Sequence, residues 1–245
     1  CVPLFLSGCS RAPTSDPAAI VFLIETMPAN LDPRIGTDAQ SQRLHSLIFS
    51  SLLERDTQMN LRGDLADRWE SPNPLTWVFH LRPGIRFHDG RPLTSADVKF
   101  TFDSILSGAI RTPKRSAFRM VAAVEAPDLQ TVVFRLSEPY ASFLWNLARP
   151  SVGIVPVGSG ADFSANPVGS GSFRFVSSVQ DDFVQLERNS AYFRSPPQIP
   201  RVRFRIVPDA VVRALELRKG TADIQLNALT PDMVPVLARD SALDV

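Results

Sequence analysis

The sequence predicts a mixed α/β fold, because β-type runs and segments of helical period take turns along the chain. Residues 77–82 place an apolar side chain at every second position, which is the pattern of a strand with one buried face. Residues 201–207 alternate in the same way and are followed by a helix-type segment at 209–219. Residues 20–26 (IVFLIET) form a compact β-type run ahead of another segment with helical spacing. This alternation is typical of a sheet covered by helices.

The first strand is predicted over residues 20–26, and an irregular crossing that carries two prolines follows at 27–34. Thr37 and Gln40 can then form a capping box, in which each side chain meets a free N–H group of the other residue. Leucines and an isoleucine follow at helical spacing up to Leu52. The first helix is therefore predicted to begin directly after the crossing.

A hairpin and a second helix are predicted between residues 75 and 103. Pro83-Gly84 ends the strand, because proline fixes φ and glycine accepts a positive φ. A second short strand ends in a turn at Asp89-Gly90. Thr94 caps the following helix with Asp97 three residues later, so a hydroxyl and a carboxylate can both meet free N–H groups.

The middle of the chain changes from regular elements to a long crossing. Residues 131–136 (TVVFRL) form a β-type run, and a helix is predicted near Pro139, which suits a first helical turn. Residues 150–166 are rich in Gly, Pro and Ser, as a crossing between two parts of a fold would be. Pro-Val-Gly-Ser-Gly stands twice, at 156–160 and 167–171, and predicts a pair of tight turns.

The last third of the chain again alternates strands with helices. The predicted strands are 172–177, 183–188, 201–207 and 222–226. The helix at 209–219 ends at Gly220, and cations in its last turn are favoured by the helix dipole. Thr230-Pro231 opens a final short helix.

Composition indicates a globular protein with a real core, since 44% of the 245 residues are apolar and 21% are charged. The net charge of +1 argues against nucleic acid as the main partner, because phosphate binding needs a clustered surplus of Lys and Arg. Residues 111–119 (RTPKRSAFR) are a local basic run. A solvated loop is the favoured interpretation of this run, ahead of a docking surface.

The sequence carries no catalytic or cofactor motif: it has no zincin helix, no Gly-x-Ser-x-Gly elbow, no P-loop and no spaced cysteine pair. His80, His88 and Asp89 could supply three metal ligands from one face of the hairpin. A structural or solvent-facing role is favoured for them, because no fourth ligand is evident. We therefore predict a protein that is not an enzyme and has no cofactor and no resident metal.

A series of short motifs runs along the chain. Leu81-Arg82 is followed by Phe-His-Asp-Gly at 87–90 and by Pro-Leu-Thr-x-x-Asp-Val at 92–98. The other members are Leu31-Asp32-Pro33, 51–70, 166–175, Leu186-Glu187-Arg188-Asn189 with Tyr192-Phe193, and 218–224. In this order the motifs resemble the solute-binding proteins of ABC importers, in the family that carries oligopeptides, dipeptides and nickel.

The resemblance implies a periplasmic binding protein-like type II fold, present in part. A discontinuous α/β domain would comprise residues 20–36 and 150–245, and a smaller α+β domain of residues 37–149 would be inserted into it. Family members are longer and close a second lobe over the ligand. We therefore expect this chain to be truncated and to lack that second lobe.

The resemblance also implies a function, namely capture of peptides or peptide-like solutes by a monomer that delivers them to an ABC permease. A ligand bound as an added strand is held through its main chain, which all peptides share. The ligand-contacting residues that the family's pattern implies are Thr26, Met27, Pro28, Ala29, Asn30, Phe118, Gly169, Ser170 and Gly171. For Phe118 buried packing is the favoured role, and residues 26–30 fit an ordinary strand-to-helix loop equally well.

Two alternatives stay open on the same resemblance. The fold could bind a nickel chelate, haem, an opine or an oligosaccharide instead of a peptide, or it could serve as the sensor domain of a regulator.

Leu6-Ser7-Gly8-Cys9 resembles the lipobox of bacterial lipoproteins, in which the cysteine receives a diacylglycerol. Residues 1–19 would then comprise the end of a signal peptide, the lipobox and a polar tether. No apolar run approaches the roughly 20 residues that a membrane-spanning helix needs. We therefore expect a periplasmic or cell-surface protein that a lipid on Cys9 holds at the membrane surface.

Overall fold

The computed structural model describes residues 19–149, 151–226 and 229–245, and within them it contains eleven strands and five α-helices. The strands are β1 (Ala19–Ile24), β2 (Leu53–Arg55), β3 (Leu61–Gly63), β4 (Ala66–Asn73), β5 (Thr76–Leu81), β6 (Val121–Glu125), β7 (Thr131–Leu136), β8 (Phe173–Val179), β9 (Phe183–Arg188), β10 (Arg201–Ile206) and β11 (Ile224–Gln225). The helices are α1 (Ala39–Ile48), α2 (Ser95–Leu106), α3 (Phe143–Leu147), α4 (Ala210–Lys219) and α5 (Val234–Leu237). Two 3₁₀ helices span Pro113–Phe118 and Ala161–Ala165. No helix in the described ranges is long and apolar enough to cross a membrane.

A five-stranded sheet has the order β11-β1-β10-β9-β8. β1 is parallel to both of its neighbours, whereas β9 is antiparallel to β10 and to β8. β1 is apolar throughout because both of its faces are covered. Ile24 packs with Leu44 and Ile48 of α1, and Leu23 packs on the other side with Leu217 of α4. This sheet with a helix on each face confirms the predicted α/β class.

A four-stranded antiparallel sheet has the order β4-β5-β7-β6 and packs against α2. Phe134 of β7 lies at its centre, with ring centroids 5.6 Å from Phe79, 4.9 Å from Phe102 and 5.3 Å from Phe143. All three contacts are edge-to-face, which is a favoured geometry for aromatic pairs. The predicted alternation in β5 is confirmed, because Phe79 and Leu81 are buried together.

The helix termini follow the predicted chemistry at α2 and α4 but not at α1. At α2 the Asp97 carboxylate accepts the backbone N–H of Thr94 at 2.8 Å, and α4 ends at Gly220 in the left-handed conformation with φ 70°. At α1 the predicted capping box of Thr37 and Gln40 is wrong. Asp38 is the N-cap and accepts the backbone N–H of Ser41 at 2.9 Å, because a short carboxylate satisfies this amide directly.

Several boundaries differ from the sequence-based predictions. β1 ends at Ile24 rather than at residue 26, and α3 begins at Phe143 rather than near Pro139. The strands β2, β3, β4 and β6 were not predicted. β4 lies at the edge of its sheet with most of its side chains exposed, so its residues (ADRWESPN) lack the apolar alternation that reveals a half-buried strand.

The five-stranded sheet is assembled from both ends of the described chain, and the four-stranded sheet lies between them in sequence. The helix α1 falls inside the segment 37–149 that was predicted to be the inserted domain. Its buried side chains Leu44 and Ile48 nevertheless pack in the cluster of the five-stranded sheet. The apolar face of α1 is therefore covered by the five-stranded sheet and not by the four-stranded one.

Candidate ligand-binding site

The carboxyl ends of the parallel strands β10, β1 and β11 meet at one edge of the five-stranded sheet. Glu25 follows β1 directly, and Gln225 is the last residue of β11. In open α/β sheets the carboxyl ends of parallel strands are the usual place for a ligand. The predicted segment of residues 26–30 begins at this edge, which we call the carboxyl edge.

Two side chains at the carboxyl edge have buried polar atoms without a hydrogen-bond partner among the described residues. They are Oε2 of Glu25 and both amide atoms, Oε1 and Nε2, of Gln225. The register pairs Leu23 with Gln225, so Glu25 stands only two residues beyond that pair on the neighbouring strand. An unsatisfied buried polar group costs about 1–3 kcal/mol, and a ligand that supplied the partner would recover this free energy.

Sequence reasoning missed Glu25 and Gln225. The available signal was a carboxylate that directly follows an apolar run. Only the strand pairing brings it beside Gln225, which lies 200 residues later in the chain, so the sequence alone could not combine the two.

The loop of residues 26–30 is attached to α1 at its far end. The backbone N–H of Ala29 donates to Asp38 Oδ2 at 3.3 Å, and that of Asn30 donates to Ser41 Oγ at 3.1 Å. Pro28 has no N–H to offer. Main-chain pairing between this loop's N–H groups and a ligand is therefore restricted to Thr26, which is exposed, and to Met27, which is half-buried.

His45 of α1 forms a hydrogen bond with the same loop. Its Nε2 lies 3.1 Å from the carbonyl oxygen of Asn30, so the ring carries its proton on Nε2 and donates it there. Burial, with a further contribution from the charge of Lys114, lowers the pKa of His45 to about 4. The ring is therefore neutral at neutral pH, and its Nδ1 is buried without a partner in the described chain.

A buried ion pair fixes the turn that leads from the loop into α1. Arg34 binds the Asp32 carboxylate through two nitrogens, with Nη2–Oδ2 2.7 Å and Nε–Oδ1 3.0 Å, and both side chains are almost inaccessible. The guanidinium also lies 5.7 Å from the ring centroid of Phe100 and 5.6 Å from that of Phe163. This bidentate geometry holds the turn in one conformation.

Lys114 ties this turn to the rest of the molecule. Its Nζ donates to the carbonyl oxygens of Pro33 and, at 2.7 Å, of Ser151. Burial lowers the pKa of Lys114 to about 8, while the charge of Asp32 opposes that shift. The prediction of a solvated loop for residues 111–119 is therefore wrong for this lysine, because two carbonyl groups replace its water.

Gly169, Ser170 and Gly171 form a buried turn against the end of α1. The N–H of Gly171 donates to the carbonyl oxygen of Ile48 at 2.9 Å. A Cβ added at Gly169 would lie 1.9 Å from that same oxygen, and one added at Gly171 would lie 2.4 Å from the carbonyl oxygen of Leu47. The two glycines are thus needed for close approach of two backbones, and the side chain of Ser170 is fully buried.

His88, in the loop between β5 and α2, holds this turn through three hydrogen bonds. Its backbone N–H donates to the carbonyl oxygen of Gly169 at 2.8 Å, its Nδ1 accepts the N–H of Gly169 at 3.3 Å, and its Nε2 donates to the carbonyl oxygen of Gly171 at 3.1 Å. This pattern requires the neutral ring, and burial lowers the pKa of His88 accordingly. His88 is therefore a structural residue, as the sequence favoured. The described residues contain no group of three or more His, Cys, Asp or Glu side chains that could hold a metal ion.

Phe118 does not reach the carboxyl edge. It is only 1% exposed and packs edge-to-face on Phe102, with 5.2 Å between the ring centroids. The assignment of Phe118 to the ligand site is corrected for this reason, and the alternative of buried packing is the one the structure has. Cys9, the predicted site of lipid attachment, lies outside the described residues.

Comparison with known proteins gives one family. Residues 60–245 match the family described as bacterial extracellular solute-binding proteins, family 5, middle. The glutathione-binding protein GsiB of Pectobacterium atrosepticum is 33% identical over 199 residues, which cover 79% of this chain and 39% of that protein.

Solved structures agree with the sequence comparison. DppA from Helicobacter pylori in complex with the peptide STSA superposes with a TM-score of 0.84 at 25% identity, covering 91% of this chain and 49% of that one. AgaA from A.tumefacien R10 in complex with agropinic acid superposes with a TM-score of 0.86 at 26% identity, covering 91% and 46%. These matches confirm the type II fold that the motifs implied. The matched part is less than half the length of each of these relatives.

Proposed function

The chain belongs to family 5 of the bacterial extracellular solute-binding proteins, and on this premise we propose that it is the ligand-capturing first lobe of an ABC importer's binding protein. The cargo is a peptide or a peptide-like solute, and the partner is the permease complex in the cytoplasmic membrane. Binding is noncovalent and shifts the population of a two-lobed protein towards its closed state. No chemical step on the cargo is part of this proposal.

One observation carries the proposal, namely the unsatisfied polar atoms at the carboxyl edge. Glu25 Oε2 accepts hydrogen bonds, and the Gln225 amide both donates and accepts. A peptide main chain offers both kinds of group at regular spacing, and the adjacent loop offers the N–H groups of Thr26 and Met27. An extended ligand can therefore satisfy all of these groups at once.

The first experiment identifies the cargo. The protein is purified without denaturation, and small molecules released from it are analysed by mass spectrometry. Recovery of peptides supports the proposal. Recovery of a nickel chelate, haem, an opine or an oligosaccharide would replace the peptide while leaving the binding role in place.

The second experiment tests the carboxyl edge. Affinity for the recovered ligand is measured by calorimetry for Gln225→Leu and for the control Gln58→Leu, since Gln58 lies in an exposed turn far along the chain from β11. We expect loss of one or two hydrogen bonds to weaken binding by about three- to thirtyfold in the first variant only. Equal affinities would remove the carboxyl edge from the ligand site.

A second cargo class is supported by one specific relative, because AgaA was solved with agropinic acid and superposes with a TM-score of 0.86. An opine carries carboxylate and amine groups like those of a peptide, so the same unsatisfied atoms could bind it. The mass of the released ligand decides between the two.

We also propose that the protein works outside the cytoplasmic membrane, held there by a lipid on Cys9. The lipobox-like Leu6-Ser7-Gly8-Cys9 and the family's extracellular character support this placement.

A further inference from the structure

We propose that a groove along the edge strand β6 docks an extended acidic segment of a partner protein. The groove has a volume of about 1060 Å³ and lies between β6, the end of α2 and the 3₁₀ helix Pro113–Phe118. It is lined by Val121, Ala122 and Ala123 of β6 and by the charged side chains of Arg115 and Arg119, among others. It is separate from the carboxyl edge, which belongs to the other sheet, so the two proposals can fail independently.

The free edge of β6 is what makes the groove suitable for a polypeptide. In the described part of the chain β6 pairs with β7 and has no strand on its other side. Ala122 and Ala123 are exposed and carry small side chains, so they leave the main chain accessible. An unpaired strand edge with accessible N–H and C=O groups is a template for an added strand.

The other edge of the same sheet is protected in a way that β6 is not. β4 contains Pro72, which cannot donate a ladder hydrogen bond, and it carries both signs of charge at Asp67, Arg68 and Glu70. β6 has a register shift between Val121 and Ala123 but no proline. The contrast marks β6 as the edge on which a partner strand can add.

The charges beside the groove select the chemistry of the partner. Arg115 and Arg119 are both exposed, and no ion pair or hydrogen bond of their side chains is found among the described residues. The nearby acids are already neutralised. Asp103 pairs with Lys99 at 2.6 Å, and Glu125 pairs with Arg135 at 3.0 Å.

Two arginines without acidic partners, Arg115 and Arg119, therefore line the groove at one unpaired strand edge. An acidic segment is attracted to this border, whereas a second copy of the chain would bring the same positive charges and be repelled. A lipid headgroup layer could also attract the arginines, but it offers no strand to pair with the free edge of β6. The strand edge and the charges together favour an acidic polypeptide.

The test uses a fluorescent eight-residue peptide of alternating Glu and Val with both termini blocked, and its binding to the 245-residue chain is followed by anisotropy. A second peptide has Lys in place of Glu, and a third keeps the Glu residues but is N-methylated at alternate amides. The protein variants are Arg115→Gln with Arg119→Gln, and as a control Arg68→Gln with Arg188→Gln. Circular dichroism checks that each variant is folded.

We expect the acidic peptide to bind the parent and the control equally, and to lose at least about fivefold in affinity on the double variant at the groove. The lysine peptide and the N-methylated peptide should bind at least tenfold more weakly than the acidic peptide. Unchanged binding of the N-methylated peptide would show attraction by charge alone and overturn strand addition. If binding survives in the groove variant but falls in Glu25→Gln, the peptide binds at the carboxyl edge. If the protein binds phosphatidylglycerol vesicles and none of the peptides, the arginines contact a membrane. Either result overturns the proposal.

Discussion

The buried ring of His45 should make the protein sensitive to acid. In the unfolded chain this group takes up a proton near its ordinary pKa of 6.5, whereas in the folded protein burial and the charge of Lys114 lower its pKa to about 4. A pKa that is lowered on folding means that the unfolded chain binds the proton first. The stabilising contribution is therefore complete above pH 6.5 and is lost as the pH falls towards 4.

The magnitude follows from the two pKa values. Between pH 7 and pH 4.5, linkage through this single histidine should remove about 2.5 kcal/mol from the free energy of unfolding. That is a large part of the 5–15 kcal/mol that is typical of a folded domain. His88, whose pKa is also lowered by burial, acts in the same direction. Asp64 acts in the opposite direction, because burial raises its pKa to about 6.

The variant His45→Gln isolates the contribution of this one group. Glutamine cannot titrate, and its amide can still donate to the carbonyl oxygen of Asn30. Urea unfolding is followed by tryptophan fluorescence at intervals from pH 7 to pH 4.5, for the parent, for His45→Gln and for the control His80→Gln. The difference in unfolding free energy between parent and His45→Gln should change by about 2.5 kcal/mol over this range.

The control should lose stability on acidification as the parent does, because it keeps the buried ring of His45. If His45→Gln keeps the full pH dependence of the parent, the burial of His45 has no energetic consequence and the reasoning fails.

Three further predictions test other parts of the structure. Gly169→Ala should lower the free energy of unfolding in urea by at least about 2 kcal/mol, because its Cβ would lie 1.9 Å from a main-chain oxygen at the end of α1. The control Gly160→Ala, where nothing lies within 4 Å of the added Cβ, should leave this free energy unchanged. Equal effects of the two substitutions would contradict the close approach. Gln225→Leu should leave the ligand-free protein as stable as the parent or about 1 kcal/mol more stable, since it removes two unsatisfied polar atoms; a loss above 2 kcal/mol would mean that the amide has a partner. On cell fractionation, Cys9→Ala should move the protein from the membrane fraction to the soluble fraction. The control Cys1→Ala should stay in the membrane fraction. A parent protein that is already in the soluble fraction would refute the lipid anchor.

The sequence predicted best what neighbouring residues decide among themselves. The alternation in β5, the cap of Thr94 and Asp97, and the helix stop at Gly220 each depend on residues within one or two turns of the chain. The order of the motifs also sufficed for the family and the type of fold. Edge strands such as β4 escaped prediction because an exposed strand has no buried face to impose a pattern.

Contacts between distant parts of the chain could not be predicted in this way. In the sequence His88 is a histidine that precedes an Asp-Gly turn. Only the tertiary structure shows that its two ring nitrogens form hydrogen bonds with the main chain of Gly169 and Gly171. Lys114 belongs to a basic run in the sequence, yet it is buried because Pro33 and Ser151 reach it from other parts of the fold.

The amino-acid sequence by itself determined the fold class and the family, because these follow from local pattern and from motif order. The tertiary structure decided that the N–H groups of Ala29 and Asn30 are bound within the chain, that Phe118 lies in the core, and that Glu25 follows the strand that pairs with β11. The physical reason is that the burial of a side chain, and the partners that satisfy it, depend on strands and loops that are up to 200 residues apart in the chain.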